Sequence, residues 1–150
     1  NSARHAGIAF QLHEYQHDAA APSYGLEAAD KLGVTAEQVF KTLVVSLDGK
    51  QLAVGIVPVN SQLGLKQIAK AAGAKKAAMA APDIVERTTG YVLGGVSPLG
   101  QKKRLPTFID ASAQAWSTLY VSAGRRGLEI ELSPEDLAAL SQGRFAALSA

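Results

Sequence analysis

The segment from residue 94 to residue 104, GGVSPLGQKKR, places a tightly turning backbone beside three positive charges. Gly95 and Gly100 have the spacing of the two glycines in a phosphate-binding P-loop, G-x-x-x-x-G-K-[ST]. Gln101 occupies the position of the lysine that reaches the phosphates in that motif. A nucleoside triphosphatase is therefore the least favoured interpretation. The glycines and the cations must then have another role.

Lys41 stands directly after Phe40 and begins the apolar run TLVV. A lysine at the mouth of a buried strand can be a solvated charge at the strand end. It can also be a cation at the edge of a cleft, where a low dielectric strengthens its attraction for a developing negative charge. The sequence leaves both interpretations open.

Two tyrosines and a serine are further candidates for a binding site. Tyr15 and Tyr24 flank a loop rich in small residues, and either packing or the lining of a pocket would suit them. Ser122 lies in YVSAGRRG, where it is a polar group at a strand end or the acceptor of a turn hydrogen bond.

The net charge of +2 is too small to indicate a nucleic-acid-binding protein by itself. The cations are nevertheless clustered beside glycine-bearing turns. One cluster alone would be a solvated loop, whereas clusters converging on one face would attract phosphates. The clustered residues are Lys75, Lys76, Lys102, Lys103, Arg104, Arg125 and Arg126.

Several functional classes are disfavoured. The chain has no cysteine, which excludes an enzyme thiol nucleophile and a thiolate metal site. H-E-x-x-H, G-x-S-x-G, EF-hand and G-x-G-x-x-G motifs are all missing, and the three histidines are expected to be structural, so no metal site is predicted. With 47% hydrophobic residues and no apolar run of membrane-spanning length or secretory signal, we expect one soluble cytosolic domain over residues 1–150.

The elements that would position these residues are strands and short helices in alternation. KTLVVSL and QLAVGIVPV around Asp48 and Gly49 predict a β-hairpin. Thr35 and Gln38 have the spacing of a capping box, and Ser133 with Pro134 predicts the start of a last helix. Further strands are predicted at 8–15 and in RLPTFID, TLYVSAG and GLEIELS. Further helices are predicted in the run that follows Ser23 and ends at Gly33, over 62–72, and from 82 to about 89. The fold class is α/β (α+β), a single domain with a mixed, curved sheet surrounded by helices.

Taken together, five segments resemble the YbaK/ProX family of aminoacyl-tRNA deacylases, and most closely its branch that acts on Cys-tRNA(Pro). The resemblance runs in order over nearly the whole chain. It rests on HEYQHD at 13–18, VFKTLVV at 39–45, AAGAKKAAM at 71–79, TGYVLGGVSPLGQKKRLPT at 89–107 and YVSAGRRGLEIEL at 120–132.

The resemblance implies a barrel-like sheet related to the editing domain of prolyl-tRNA synthetase. It also implies a catalytic lysine at Lys41 and a glycine loop whose backbone N–H groups face the aminoacyl ester and the 3′ adenosine. The catalytic glycines would be Gly94, Gly95 and Gly100, with Ser97, Pro98, Tyr15, Tyr24 and Ser122 as substrate-binding residues. Tyr24 departs from the family's phenylalanine. Lys102, Lys103, Arg104, Arg125 and Arg126 would meet tRNA phosphates.

The implied activity is clearance of Cys-tRNA(Pro), and of Cys-tRNA(Cys) as a further substrate, through attack by the cysteinyl thiol on its own ester. No cofactor, membrane or DNA is implied, and the partners are the aminoacyl-tRNA and prolyl-tRNA synthetase. Two alternatives stay open. One is an editing deacylase for another small amino acid, as in Ala-tRNA(Pro), and the other is a catalytically silent module that binds tRNA ends.

Overall fold

The structure is a computed structural model that describes residues 10–15, 24–89, 105–125 and 127–150. Its strands are β1 (Gln11–Glu14), β2 (Phe40–Leu47), β3 (Gln51–Pro58), β4 (Ala77–Met79), β5 (Thr107–Asp110), β6 (Leu119–Arg125), β7 (Leu128–Leu132) and β8 (Arg144–Ala146). The α-helices are α1 (Tyr24–Leu32), α2 (Leu65–Ala72), α3 (Pro82–Thr89) and α4 (Pro134–Ser141), and two 3-10 turns cover Ala36–Gln38 and Ala111–Ala115.

The strands form two sheets of mixed direction. One sheet has the order β1-β7-β6 and is antiparallel, while the other has the order β4-β2-β3-β5-β8 with parallel pairs at β3–β5 and β5–β8. An isolated parallel bridge between Val39 and Tyr120 joins the start of β2 to β6. The two sheets therefore meet at this point and curve around one core, which confirms the predicted α/β domain with a mixed, curved sheet.

The main core lies between the two sheets. Phe40, Val44 and Ile56 contribute from the five-stranded sheet, and Val121 and Ile130 from the three-stranded one. All five side chains are at most 2% exposed, so the inward-facing positions of both sheets are removed from water. Burial of these side chains fixes which residues of each strand face outward, because neighbouring side chains of a strand point to opposite faces.

The outer face of the five-stranded sheet is covered by α2. Ile68 is fully buried there against Val57 and Phe108. The helix comes so close to β3 that a Cβ at Gly55 would lie 3.0 Å from the Ile68 Cδ1 atom. Gly73 ends the helix at φ 74°, as the sequence predicted for this glycine.

Local sequence rules explain the hairpin and the last helix. Asp48 and Gly49 both have positive φ, 53° and 66°, as a type I′ turn requires. The Ser133 side chain accepts a hydrogen bond from the Asp136 N–H at 3.1 Å, and Pro134 begins α4. Both predictions are confirmed.

Two local predictions need correction. The Thr35 side chain forms no cap hydrogen bond, because the Gln38 backbone N–H donates to the Thr35 carbonyl at 3.1 Å instead. The Gln38 side-chain amide donates to the Thr118 carbonyl at 2.9 Å and so ties the 3-10 turn to the start of β6. The alternation of apolar residues at 8, 10 and 12 in IAFQLHEY predicts that Leu12 lies on the buried side of its strand with Phe10. Leu12 is instead 44% exposed, because β1 is an edge strand that pairs only with β7 among the described strands.

Candidate active site

Lys41 and Ser122 lie on one face of the molecule at the junction of the two sheets. Val39 and Tyr120 are paired in the bridge that joins β2 to β6, and both pack in a cluster with Ala28 of α1. Because side chains alternate along a strand, Lys41 shares the outer face of β2 with Val39, and Ser122 shares that of β6 with Tyr120. The two residues therefore belong to the same surface.

The Lys41 side chain is half-buried at this junction. Burial lowers its pKa below the ordinary value, because loss of hydration disfavours the charged form. Neither simple interpretation of the sequence is complete, since the residue is at a strand end and yet is partly removed from water. A partly desolvated ammonium group attracts a developing negative charge more strongly than a hydrated one.

The Ser122 hydroxyl accepts a hydrogen bond from the Gly124 N–H at 3.2 Å. This is the turn hydrogen bond that the sequence allowed. A hydroxyl group has one proton to donate and two lone pairs, so a serine that accepts from a backbone amide keeps its O–H for another partner. The contact fixes the Ser122 side chain beside the irregularity in the pairing of β6 with β7.

Glu129 is a candidate site residue that the sequence patterns did not predict. It lies directly opposite Ser122 in the β6–β7 pair and opposite His13 in the β1–β7 pair. It is only 6% exposed, and burial raises its pKa to about 8. A carboxyl group with that pKa is largely protonated at pH 7 and can donate a hydrogen bond or a proton. Buried carboxyl groups of this kind are typical of functional sites.

The alternation of polar and apolar residues in LEIEL predicts that Glu129 and Glu131 face solvent. Their strand instead lies in the middle of its sheet, and the face that carries them is covered at Glu129. The sequence signal for Glu129 was a pair of acidic residues on the strand that pairs with the strand of Ser122. Strand periodicity cannot show that this face of the sheet is covered.

Glu131 follows Glu129 by two residues on β7 and is the centre of a group of hydrogen-bonded side chains. Its carboxylate accepts from the Thr118 hydroxyl at 2.5 Å and lies 2.9 Å from the His13 Nε2 atom. Burial raises the pKa of Glu131, but the hydrogen bonds from Thr118 and His13 outweigh it and the pKa falls below the ordinary value. The His13 ring also contacts the Tyr120 ring, with centroids 5.3 Å apart. His13 is thus structural, as predicted.

Tyr15 is half-buried against the cluster of Val39 and Tyr120, and its N–H donates to the Gly127 carbonyl at 2.9 Å. It is therefore near the outer face that carries Ser122. Tyr24 is the first residue of α1, and Arg125 is the last residue of β6. The remaining predicted site residues, Gly94, Gly95, Ser97, Pro98, Gly100, Lys102, Lys103, Arg104 and Arg126, lie outside the described residues.

Lys75 and Lys76 are at a different place. They lie beside Asp48, at the turn of the β2–β3 hairpin. This turn follows Leu47, the last residue of β2, whereas Lys41 lies at the opposite end of that strand. Among the described residues, no group of three or more histidine, cysteine or acidic side chains could hold a metal ion. None of the helices in the described part of the chain is both long and apolar enough to span a bilayer.

A junction of two sheets that presents a half-buried lysine, a serine and a neutral carboxyl group can bind and polarise an ester. Residues 20–140 match the model of a family described as "Aminoacyl-tRNA editing domain". The chain belongs to this family, the YbaK/ProX aminoacyl-tRNA editing domains, and is an editing deacylase. The family and fold predicted from the sequence are confirmed.

Three relatives illustrate the similarity. A protein of Enterococcus faecalis (strain ATCC 700802 / V583) named "Putative Cys-tRNA(Pro)/Cys-tRNA(Cys) deacylase EbsC" is 44% identical over 121 residues, 81% of this chain and 74% of that protein. "Uncharacterized protein YwhH" of Bacillus subtilis (strain 168) is 29% identical over 77% of this chain and 73% of its own. The crystal structure of "a putative trans-editing enzyme for prolyl tRNA synthetase" superposes with a TM-score of 0.83 at 25% identity, covering 99% and 97% of the two chains.

Proposed function

We propose that this protein deacylates Cys-tRNA(Pro) in the cytoplasm. Its partner is prolyl-tRNA synthetase, the enzyme whose mischarging errors it corrects. The observation that carries the proposal is the placement of Lys41, Ser122 and Glu129 on one outer face where the two sheets meet. The Enterococcus faecalis relative, which bears the name of a Cys-tRNA deacylase, supports cysteine as the amino acid. A separate hydrolytic site is a general remedy where pocket fit discriminates side chains of similar volume by only about 1 to 3 kcal/mol.

The proposed reaction uses the substrate's own thiol. The cysteinyl thiolate attacks its ester carbonyl, a C–S bond forms, and the bond from the carbonyl carbon to the ribose oxygen breaks. The thiol proton ends on the ribose oxygen, which gives free tRNA and a cyclic thiolactone that water then opens to cysteine. Holding the reacting groups in near-attack geometry can supply roughly 7 to 11 kcal/mol of the barrier. The protein then needs no nucleophile, in agreement with its lack of cysteine.

The described residues have distinct roles in this reaction. The half-buried Lys41 ammonium group stabilises the negative charge that develops on the carbonyl oxygen. Glu129, protonated at neutral pH, passes its proton to the departing ribose oxygen and regains one from the thiol, so that the net transfer is from the thiol to the ribose oxygen, and Ser122 opposite it positions the ribose. The glycine loop at Gly94, Gly95 and Gly100 would add backbone N–H donors to the same oxyanion.

The test compares three substrates on one tRNA, namely Cys-tRNA(Pro), Ser-tRNA(Pro) and Ala-tRNA(Pro). We expect rapid loss of cysteine and slow loss of serine, which has a hydroxyl group in place of the thiol. Rapid cleavage of Ser-tRNA(Pro) would contradict thiol attack. Preference for Ala-tRNA(Pro) would assign the site to another small amino acid with an activated water, and binding without cleavage of any of the three would indicate a silent tRNA-end module.

A further inference from the structure

The segment from residue 49 to residue 82 carries five lysines and no acidic residue. The whole chain has 15 cations and 13 anions, so the remaining residues carry 10 cations and 13 anions and are net negative. The protein is therefore divided into a positive part and a negative part although its net charge is only +2. A one-sign surface of this kind attracts a polyanion through the sum of its charges.

The five lysines, Lys50, Lys66, Lys70, Lys75 and Lys76, are all exposed. Lys66 and Lys70 are four residues apart on the outer side of α2, whose inner side buries Ile68 and Ala69 against the sheet. Lys75 and Lys76 follow directly after the end of that helix at Gly73. Because residues four apart lie on one face of a helix, the lysines form a strip along α2 that ends at the hairpin turn.

The strip ends at a surface pocket of about 720 Å³. Lys50 enters the pocket from the hairpin turn, and Lys75 and Lys76 line its other side together with the start of β4. Three lysines from two separate segments of the chain thus surround one concave surface.

Asp48 is the carboxylate at this pocket, and its hydrogen bonds are to the backbone. It accepts from the Lys76 N–H at 2.8 Å and from the Lys75 N–H at 3.1 Å, which lowers its pKa. Among the described residues, the five lysine side chains form no salt bridge. Asp48 therefore holds the segment before β4 in place, while the ammonium groups stay available to an external anion.

We infer that this lysine strip binds the phosphate backbone of the double-helical acceptor arm of the tRNA. The pocket lies at the Leu47 end of β2, about 20 Å from Lys41 at a rise of about 3.3 Å per residue. The single-stranded 3′ end occupies the site at Lys41, and the duplex that continues from it runs along the strip. Phosphate contacts of this type fix the position of a nucleic acid without reading its sequence. The inference rests on the proposed function, because it takes the 3′ end to lie at Lys41.

The test is the triple variant Lys50→Gln, Lys75→Gln, Lys76→Gln, with Lys31→Gln on α1 as the control. Binding of uncharged tRNA(Pro) is measured as a function of salt. Each lost phosphate contact lowers the slope of log Kd against log salt by about 0.9, so we expect the triple variant to lose up to about 2.7. When the salt concentration rises from about 50 mM to about 200 mM, the affinity of the wild type should therefore fall by roughly 40-fold more than that of the triple variant. The slope of the Lys31→Gln protein should be that of the wild type.

The same variants are then assayed on Cys-tRNA(Pro) and on a cysteinyl ester of a short CCA oligonucleotide, which has no duplex. We expect the triple variant to lose kcat/KM on the tRNA and to keep it on the oligonucleotide. An unchanged salt slope, or equal losses on both substrates, would overturn the inference. A wild-type protein that shows the predicted slope but cleaves neither ester would contradict the proposed function and leave the lysine strip supported.

Discussion

Glu129 lies directly opposite Ser122 across the antiparallel pair of β6 and β7, on the outer face that also carries Lys41. This pairing places a buried, protonated carboxyl group beside a hydroxyl group. Two strands whose pairing is irregular between Ser122 and Arg125 thus present two proton donors side by side. The consequences of this relationship can be measured in both stability and activity.

The first prediction concerns the pH dependence of stability at Glu129. Its pKa is about 8 in the folded protein and near 4.5 in the unfolded chain, so the folded state binds the extra proton between these values. The stability that the neutral carboxyl contributes is therefore present at low pH and is lost as the pH rises toward and through 8. Between pH 5 and pH 8 we expect a loss on the order of 3 kcal/mol relative to Glu129→Gln, measured by urea unfolding.

The exposed Glu135 on α4 provides the matched control for this measurement. Glu135→Gln should follow the wild-type pH profile, because the Glu135 side chain is exposed to solvent. If Glu129→Gln and the wild type lost stability in parallel from pH 5 to pH 8, Glu129 would not be the buried titrating group. The Gln variant should also deacylate more slowly, since an amide can donate a hydrogen bond but no proton to the leaving oxygen.

The second prediction concerns Lys41. Lys41→Ala should reduce kcat/KM for Cys-tRNA(Pro) by roughly 100-fold to 1,000-fold, the usual effect of removing a group that stabilises an oxyanion. The free energy of unfolding should change by less than about 1 kcal/mol, because the side chain is half-buried and lies at the start of a strand.

Lys31 on α1 is exposed and serves as the control, so Lys31→Ala should keep wild-type activity. Lys41→Arg keeps the charge but changes its geometry, and an intermediate loss would separate charge from position. Wild-type turnover by Lys41→Ala would remove this residue from the active site.

The sequence predicted those features that are determined locally. The hairpin follows from Asp48 and Gly49, which adopt the left-handed conformations that its turn needs. β4 and β8 were not predicted, because each has three residues without a strand pattern and exists through pairing with β2 or β5. The face on which Lys41 lies and the burial of Glu129 depend on how the two sheets meet, which involves residues far apart in the chain.

The third prediction concerns the group around Glu131. Its lowered pKa means that its hydrogen bonds stabilise the fold above the ordinary pKa of a glutamate, and that this stabilisation is lost as the pH falls through the lower folded value. Glu131→Gln should therefore cost about 1 kcal/mol near pH 7 and much less below pH 4. Thr118→Val removes one donor, so NMR titration should show the pKa of Glu131 moving upward. A pKa unchanged by Thr118→Val would contradict the contact at 2.5 Å.

The fourth prediction uses two buried threonines that differ in one respect. Thr42 is 9% exposed and lies on the inner face of β2, and its hydroxyl oxygen has no hydrogen-bond partner among the described residues. Thr107 is 7% exposed, and its hydroxyl donates to the Leu105 carbonyl at 3.0 Å. Valine has nearly the same shape as threonine, so the substitution tests the hydroxyl group alone.

An unpaired buried hydroxyl is unfavourable, because it has lost its hydrogen bonds to water without gaining others. We expect Thr42→Val to stabilise the protein by about 1 kcal/mol and Thr107→Val to destabilise it by about the same amount. Unfolding by urea at one pH measures both. If Thr42→Val instead destabilised the protein as much as Thr107→Val, the Thr42 hydroxyl would have a partner in solution.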